Sequence, residues 1–516
     1  MVKKSASYKK ATQSGPKRAK QSGPTTKTSW TIMLYIAADG ILANFAVESL
    51  RQLSRSASTG RGKDDQASVV VAAQFSIDAP GGQSIKRYIF DESSDGNLRN
   101  GIQEPLNAPP DMSEKDALKS FLNWVYTNKD CNQSEHYALI LWSHGPELFL
   151  QPPPGNPTGD PASLYLKPQD LREALTSCKP PANCHLDIVG FDACSMSMFE
   201  MAYEIRGLAD YMVASQEEVP DPSFPYDQLI ECFRKLGGDP DSLLKQGVQA
   251  YARAYQDCIC NGITGMNRVT LSALCLNNSD RLKNAVDNLA SAFLDAQNDG
   301  VLPDLLIEAR RGSPDYVGGL YVDLFEFCRK LDGLLGGSES KVITPIRDAC
   351  QLVLAALAEG KSDSLILVND SADLTGHGIS IYLPYLSDEQ SAQVDKPMVK
   401  GGDLIRGGAK GGDLIRGGAK GFSVSDLLNN AAVGYRISAR RDMISLTESY
   451  YPGLQLASET SKTASWYDFV AGLWPRILIK TAPADLNLRY SASQIAMNLF
   501  SYQPLGLIPP RATHVP

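Results

Sequence analysis

Two short apolar runs, YALILW at 137–142 and LDIVGF at 186–191, constrain the fold of this chain most strongly. Runs of this length that end in turn residues are typical of buried strands. TIMLYIAA at 31–38 and SVVVAAQF at 68–75 are runs of the same kind, and amphipathic helical patterns separate them. Apolar strands that alternate with helices indicate a parallel sheet covered on both faces. We therefore expect an α/β fold with a mainly parallel sheet and a more helical C-terminal region.

Reactive residue types follow both runs. His144 and Gly145 come after the first strand, and Asp192 and Cys194 come after the second. Ligands of open parallel sheets bind beyond the carboxyl ends of the strands, so we expect these residues to face one cleft. A thiol nucleophile needs a base or cation that holds it as thiolate, and N–H groups that bind the oxyanion. The sequence predicts Cys194 at a strand-to-helix junction, where a helix N-terminus lowers the pKa of a thiol.

A structural role for these residues is the alternative that the pattern leaves open. An isolated cysteine is often a small buried hydrophobe, and an isolated histidine is often a satisfied polar residue. His136, His185 and His377 also compete for the role of base. Each of them precedes a predicted strand, and His136 and His185 lie at the ends of their strands away from the expected cleft.

The composition argues against several classes of protein. The net charge is −8, whereas a nucleic-acid-binding surface needs concentrated Lys and Arg. The chain has no run of about 18 apolar residues, and its basic N-terminus lacks the apolar segment of a signal peptide. We expect a cytoplasmic monomer that binds neither nucleic acid nor membrane. The ten cysteines are dispersed, so we expect reduced thiols and no metal at the close pair Cys258 and Cys260.

Composition and pattern divide the chain into five segments. SLILVND at 364–370 and GISIYLP at 378–384 read as two strands that either extend the first sheet or build a smaller companion. KGGDLIRGGA occurs twice in tandem from 400 to 419, and so many glycines favour an exposed loop. The expected segments are a disordered basic tail at 1–29, a catalytic core at 30–240, a helical region with strands that extend the fold at 241–390, a glycine-rich loop at 391–425, and a helical region at 426–516.

Taken together, these residues resemble the clostripain-like cysteine peptidases, which have a caspase-type fold. The resemblance covers roughly 30–390. Its strongest parts are LILWSHG at 139–145, LKPQDLREAL at 166–175 and LDIVGFDACSMSMFEMAYEIRGLADYMVASQE at 186–217. An S-H-G motif after one apolar strand and G-F-D-A-C after the next is a specific pairing.

The resemblance implies a cysteine endopeptidase with a Cys194–His144 dyad. The backbone N–H groups of Gly145 and Cys194 would form the oxyanion hole. Asp192 matches a family aspartate at the floor of the pocket for P1, the substrate residue before the cut, where a buried carboxylate would pair with Arg or Lys. A helix-capping role is the alternative for Asp192.

Two departures from the family pattern affect these expectations. Asp221 lies one place from the expected second acidic pocket residue, and Pro222 occupies that place, which puts strong Arg or Lys selectivity in doubt. The segment 145–166 has no Lys or Arg, and Lys167 precedes a proline, so self-cleavage at the usual place is not expected. We expect it instead, if at all, in the basic tail or the tandem repeat.

Peptides or proteins are the expected substrates, and no cofactor is expected to be required. The family includes members that calcium stimulates, but this sequence has no EF-hand pattern, and its scattered acidic residues do not identify a calcium site. Two other functions remain as alternatives. One is a catalytically weak caspase-fold protein that binds peptides or partners, and the other is a transpeptidase or amidase on the same scaffold.

Overall fold

A computed structural model provides the coordinates of this chain. The residues that it describes are 29–37, 42–58, 67–79, 82–99, 101–105, 112, 114–143, 166–182, 184–220, 223–260, 269–336, 340–371, 376–385, 451, 454–458 and 464–481. The basic tail up to residue 28 and the glycine-rich loop lie outside them. Within this part of the chain, no helix combines the length and the apolar character that crossing a membrane requires.

The fold is built from twelve described strands and thirteen described helices. The strands are β1 Ser29–Ala37, β2 Ser68–Ala79, β3 Gly82–Phe90, β4 Ile102–Pro105, β5 His136–Trp142, β6 Leu186–Asp192, β7 Tyr211–Ala214, β8 Thr270–Cys275, β9 Asp315–Tyr316, β10 Tyr321–Asp323, β11 Ile366–Ser371 and β12 Ser380–Tyr382. The helices are α1 Leu42–Ser58, α2 Lys115–Thr127, α3 Pro168–Ser177, α4 Phe199–Glu204, α5 Tyr226–Leu236, α6 Pro240–Cys260, α7 Ser279–Asp295, α8 Leu302–Gly312, α9 Leu324–Leu334, α10 Thr344–Ala356, α11 Gln455–Ser458, α12 Trp466–Asp468 and α13 Trp474–Thr481.

Nine strands form one large sheet in the order β11-β8-β7-β6-β5-β1-β2-β3-β4. The pairings among β2, β1, β5, β6 and β7 are all parallel. Antiparallel strands complete both edges, with β8 and β11 on one side and β3 and β4 on the other. The α/β fold class with a parallel centre is therefore confirmed.

Both faces of the sheet are buried, as the apolar strands require. Along β1, Met33 and Tyr35 enter a core on one face, and Ile32 and Leu34 enter a core on the other. Helices α2, α3 and α7 pack in the first core, whereas α1, α5 and α6 pack in the second. The alternation of side chains along a strand thus supplies both cores from one run of apolar residues.

The two strands expected after residue 360 follow different courses. β11 pairs with β8 and extends the large sheet, whereas β12 pairs with β10 in a second, three-stranded antiparallel sheet. We call β9, β10 and β12 the companion sheet. Both sequence alternatives, extension and companion, are therefore realised, one by each strand.

The described part of the C-terminal region packs against the companion sheet and α4. The Trp466 indole donates to the Tyr382 carbonyl at 3.0 Å, and the Trp474 indole donates to the Pro384 carbonyl at 2.8 Å. The Tyr451 hydroxyl donates to Glu200 Oε1 at 2.8 Å. The helical pattern expected near 465–474 corresponds to α12, a π-helical turn at Phe469–Leu473 and α13.

The Arg310 side chain on α8 donates hydrogen bonds to backbone carbonyls in and next to the companion sheet. It is 2% exposed, and its guanidinium donates to the carbonyls of Leu383 and Gly319, each at 2.7 Å. A longer contact of 3.5 Å reaches the Tyr321 carbonyl. Burial lowers the pKa of Arg310 to about 10, so the side chain stays charged at neutral pH. The planar fork of donors lets one side chain bind carbonyls from separate segments.

We predict that Arg310→Lys lowers the free energy of unfolding by about 2–4 kcal/mol, because one ammonium cannot reach all of these carbonyls and buried acceptors lose their donors. Urea unfolding followed by circular dichroism measures the change. Arg311→Lys is the matched control, since Arg311 is the exposed neighbour on the same helix and should change stability by less than about 0.5 kcal/mol. Equal effects of the two substitutions would contradict the prediction.

Candidate active site

Cys194 lies just beyond the carboxyl end of β6, which ends at Asp192. Its side chain is half-buried, and its sulfur accepts a hydrogen bond from the Val219 N–H at 3.4 Å. A donor to sulfur stabilises a thiolate more than a thiol. The residue is therefore placed at the end of a central parallel strand, where open α/β sheets bind their ligands.

Other described thiols differ from Cys194 in their surroundings. Burial raises the pKa of six of them: Cys131 to about 12, Cys275 to about 11, and Cys178, Cys184, Cys232 and Cys328. These residues stay protonated at neutral pH and act as apolar side chains. The eight cysteines with described side chains are all free, whereas the side chains of Cys258 and Cys260 lie outside the described residues.

The helix after Cys194 does not begin where the sequence indicated. It begins at Phe199 with Met198 as N-cap and has only six residues. Residues 195–198 therefore lie between the thiol and the helix. The effect of a helix dipole is confined to the first turn. The expectation of a helix N-terminus directly at Cys194 is therefore wrong, because residues 195–198 separate the thiol from α4.

A backbone ladder takes the place of that first helical turn. Ser195 adopts a left-handed conformation, with φ of 55°, and its N–H donates to the Glu217 carbonyl at 2.9 Å. The Ser197 N–H donates to the Ser215 carbonyl at 2.9 Å. Residues 195–197 thus bind the segment 215–217 that follows β7, and we call this pairing the nucleophile ladder. These N–H groups are committed to strand-like bonds and are not available to start a helix.

The segment 215–217 is itself anchored by buried side chains. The Thr270 hydroxyl accepts from the Gln216 N–H at 3.0 Å and pairs with the Ser215 hydroxyl at 2.9 Å. Gln216 is 1% exposed. Its amide donates to Asp323 Oδ2 at 3.0 Å and accepts from the Gly378 N–H at 2.8 Å. One side chain therefore ties the nucleophile ladder to β10 and to the start of β12.

Asp323 is the buried carboxylate of this anchor. Its oxygens also accept from the backbone N–H groups of Glu326 and His377, each at 2.8 Å. Burial raises the pKa of Asp323, although these donors and the nearby His377 oppose the shift. The His377 ring stacks on Phe325 with centroids 4.5 Å apart and lies 3.6 Å from Glu326 Oε1. His377 is thus placed in the companion-sheet anchor.

The Asp192 side chain is buried and held by the segment 223–226. Its Oδ2 accepts from the Tyr226 hydroxyl at 2.6 Å, from the Phe224 N–H at 3.2 Å and from the Ser223 hydroxyl. The Trp142 indole donates in turn to the Ser223 hydroxyl. We call these residues the Asp192 cluster. Since Met198 caps α4, the helix-capping alternative for Asp192 is wrong.

His144, Gly145 and Asp221 lie outside the described residues. The residue before His144 is described, however. Trp142 pairs with Asp192 in the register of β5 and β6, and the Ser143 N–H donates to the Asp192 carbonyl at 3.3 Å. The two chain segments that carry the candidate dyad therefore leave the sheet side by side.

His136 and His185 lie at the opposite end of the sheet. His136 Nδ1 is 2.8 Å from Asp187 Oδ1, and its ring stacks on Trp30 at 4.7 Å. His185 Nε2 is 2.6 Å from Asp210 Oδ2. His185, Asp187 and Asp210 bring their ligand atoms within 4.8 Å of one another, but direct histidine–carboxylate contacts already account for this grouping. The sequence interpretation of these two histidines as remote from the cleft is consistent with this placement.

Several residues of this site carry no sequence signal that would identify them. Gln216, Thr270 and Asp323 are ordinary polar residues that meet only in the folded chain. Ser223 and Tyr226 fall in VPDPSFPYD at 219–227, where the aromatic residues next to Ser223 hint at a buried cluster. Ser223 has φ of 94°, a conformation that sequence does not indicate for a serine.

Comparisons with known proteins agree on one family. The sequence model of the clostripain family matches residues 34–396. Clostripain from Hathewaya histolytica is 23% identical over 265 residues, which cover 43% of this chain and 48% of that protein. This chain thus spans about half the length of the curated relative that it matches.

Solved structures of C11 cysteine proteases are also similar. A secreted protease from Bacteroides thetaiotaomicron, solved with an irreversible peptide inhibitor, is 17% identical with a TM-score of 0.47, and the match covers 70% of this chain and 94% of that chain. An inactive zymogen from Parabacteroides distasonis is 18% identical with a TM-score of 0.48 and the same coverage of both chains, 70% and 94%.

We predict that Gln216→Ala lowers the free energy of unfolding by about 2–4 kcal/mol. The change leaves Asp323 and the Gly378 N–H buried with fewer partners, and unsatisfied buried groups are costly, most of all when charged. Urea unfolding measures the loss. Gln228→Ala, at an exposed position on α5, is the control and should be nearly neutral. A loss below about 0.5 kcal/mol for Gln216→Ala would rule out the anchoring role.

Proposed function

Because this chain belongs to the clostripain family of cysteine peptidases, we propose that it is a cysteine endopeptidase with Cys194 as nucleophile. The observation that carries the proposal is the position of Cys194: a half-buried thiol beyond the end of a central parallel strand, with a backbone N–H donating to its sulfur. The other thiols whose pKa burial raises lack this combination of strand-end position and sulfur-directed donor.

In the proposed reaction, the Cys194 thiolate attacks the scissile carbonyl carbon and forms a C–S bond. His144 donates a proton to the leaving amine as the C–N bond breaks, which yields an acyl-enzyme. Water then attacks the thioester, releases the carboxylic acid product and returns the thiol. The side-by-side exit of β5 and β6 supports this pairing, because it brings the segments before both residues together.

The proposed oxyanion hole consists of the N–H groups of Cys194 and Gly145. The nucleophile ladder supports this choice. The N–H groups of Ser195 and Ser197, which follow Cys194, already bind carbonyls of 215–217 and are not available to an oxyanion. A fixed N–H pair stabilises the developing oxyanion without reorganisation during the reaction.

We further propose cleavage after Arg or Lys, with Asp192 supplying the negative charge of the P1 pocket. Asp192 is 3% exposed and lies two residues before Cys194. A carboxylate that is held by donors in a low-dielectric site attracts a cation more strongly than a solvated one does. Asp221 stays a prediction as a second acidic residue of this pocket.

The remaining expectations are also proposals. We propose that the protein acts on peptide or protein substrates as a monomer in the cytoplasm, without nucleic acid or membrane as partner. We propose that it requires no cofactor. The effect of calcium on the rate of peptide hydrolysis is to be measured separately. Peptide hydrolysis with and without added calcium tests the statement on cofactors. The molecular mass from gel filtration tests whether the protein is a monomer.

We predict that Cys194→Ala abolishes peptide hydrolysis and leaves the fold intact, because a small side chain replaces the thiol without opening a large cavity. A fluorogenic endopeptidase assay and thermal unfolding measure both parts. Cys232→Ala is the matched control, as Cys232 is another half-buried thiol, on α5. Hydrolysis by Cys194→Ala would reject the mechanism, and tight peptide binding by an inert wild-type protein would favour the binding-module alternative.

His144→Ala is expected to lower kcat by about 100- to 10,000-fold, the usual contribution of acid–base catalysis. The assay is steady-state hydrolysis, with His185→Ala as control because His185 lies at the other end of the sheet and is half-exposed. If His144→Ala matched the wild-type rate, the proton would have to come from another residue.

Asp192→Asn should reduce kcat/KM for substrates with P1 Arg or Lys at least about tenfold relative to a neutral P1 residue, because it removes the charge that pairs with the substrate. Asp187→Asn is the control: Asp187 is a buried carboxylate on the same strand but at its other end. A wild-type enzyme without preference for basic P1 residues would show that this pocket assignment is wrong.

A further inference from the structure

A buried tyrosine hydroxyl beside the Asp192 cluster has no hydrogen-bond partner. Tyr251 lies on α6 and is 0% exposed, and among the described residues nothing bonds to its hydroxyl oxygen. Burying a hydroxyl without a partner costs free energy, and such groups in native proteins usually have a reason. The Tyr251 hydroxyl is thus a buried acceptor that no described residue uses.

The Tyr251 ring packs against two residues that belong to the structure around Asp192. The ring stands edge-on to Phe224, with centroids 5.5 Å apart, and to Tyr255, with centroids 5.1 Å apart. Phe224 binds Asp192 Oδ2 through its N–H, and the Tyr255 hydroxyl donates to the Ser223 carbonyl. Tyr251 is therefore packed between two members of the structure that holds Asp192.

Tyr251 differs in the bonding of its hydroxyl group from Tyr226 and Tyr255, two other tyrosines near Asp192. The Tyr226 hydroxyl donates to Asp192 and the Tyr255 hydroxyl donates to Ser223, so both serve the fold. Burial raises the pKa of Tyr251 well above its ordinary value, and the negative charges of Tyr255, Asp192 and Cys194 raise it further. The phenol therefore stays neutral at neutral pH.

A basic P1 side chain brings more donors than one carboxylate that is already hydrogen-bonded can accept. A guanidinium carries five N–H donors and an ammonium three, whereas a carboxylate has about four acceptor positions on its two oxygens, and three donors of the chain already bind Asp192 Oδ2. A buried cation whose donors lack acceptors is strongly disfavoured. A neutral hydroxyl with open lone pairs supplies such an acceptor without adding a second negative charge.

We propose that Tyr251 is a specificity-determining residue of the P1 pocket, whose hydroxyl oxygen accepts a hydrogen bond from the cationic end of a P1 Arg or Lys. The inference rests on the proposed function, because it assumes cleavage after a basic residue. The hydroxyl discriminates by chemistry: a cationic donor gives it the partner it lacks, and an apolar P1 side chain leaves it unsatisfied.

The test is Tyr251→Phe in the full-length enzyme, assayed on matched peptides that carry Arg, Lys or norleucine at P1. We expect kcat/KM for Arg and Lys to fall about 10- to 100-fold, the usual loss for a hydrogen bond to a charged group. Hydrolysis of the norleucine peptide should stay within about twofold. The melting temperature should be unchanged or higher, since the substitution removes no hydrogen bond that the described residues make.

Tyr255→Phe is the matched control, one helical turn away on α6. It removes a hydrogen bond of the fold, so it should lower the melting temperature and reduce kcat/KM by a similar factor for all three peptides. If Tyr251→Phe fails to fold, Tyr251→Met takes its place, with the same ratio of basic to norleucine hydrolysis as readout.

The outcomes separate the inference from the proposed function. If wild type prefers Arg and Lys but Tyr251→Phe keeps the wild-type ratio, the inference is wrong and the proposed P1 preference stands. If Tyr251→Phe destabilises the protein and slows all peptides alike, Tyr251 is a structural residue and the inference is again wrong. If wild type shows no basic preference, the P1 assignment fails and the inference fails with it.

Discussion

The nucleophile ladder is the interaction on which the rest of this site depends. Cys194 follows a strand directly, and what fixes its loop is the pairing of residues 195–197 with 215–217. That pairing holds only if 215–217 is held in turn, which Thr270 and Gln216 do through buried hydrogen bonds. Because the partners of these side chains come from β8, β10 and the start of β12, the position of the thiol depends on both sheets.

The electrostatics of the site depend on two buried carboxyl groups, those of Asp192 and Asp323. Their hydrogen-bond donors come from the chain itself. Asp192 is a buried carboxyl group two residues before a candidate nucleophile, and its negative charge would repel a thiolate unless donors compensated it. The hydroxyls and the N–H of the Asp192 cluster provide that compensation. Asp323 lies in a similar position in the anchor, where burial raises its pKa and donors oppose the shift. Two side-chain hydroxyls and one backbone N–H thus hold Asp192, whereas the Gln216 amide and two backbone N–H groups hold Asp323.

The sequence predicted what local pattern and strand order control. Apolar runs located β1, β2, β5 and β6, and the residues after β5 and β6 could be assigned to one end of the sheet because parallel strands share their carboxyl ends. It did not predict the delayed start of α4, because the left-handed Ser195 and its partner at Glu217 depend on a contact between separate elements. Gln216 and Asp323 are 107 residues apart, and no periodicity links residues at that separation. The bonding state of the Tyr251 hydroxyl also carries no sequence signal, because it depends on which described groups pack around it in the folded chain.

The distance along the chain between Gln216 and Gly378 has a consequence for the time course of biosynthesis. Their hydrogen bond joins residues 162 positions apart, and ribosomes add about 5–20 residues per second. Roughly ten to thirty seconds therefore pass between the emergence of the thiol and that of the segment which completes its anchor. During that interval the loop that carries Cys194 lacks the hydrogen bond from the Gly378 N–H that completes its anchor. The candidate active site is therefore fully assembled only after the start of β12 has been synthesised.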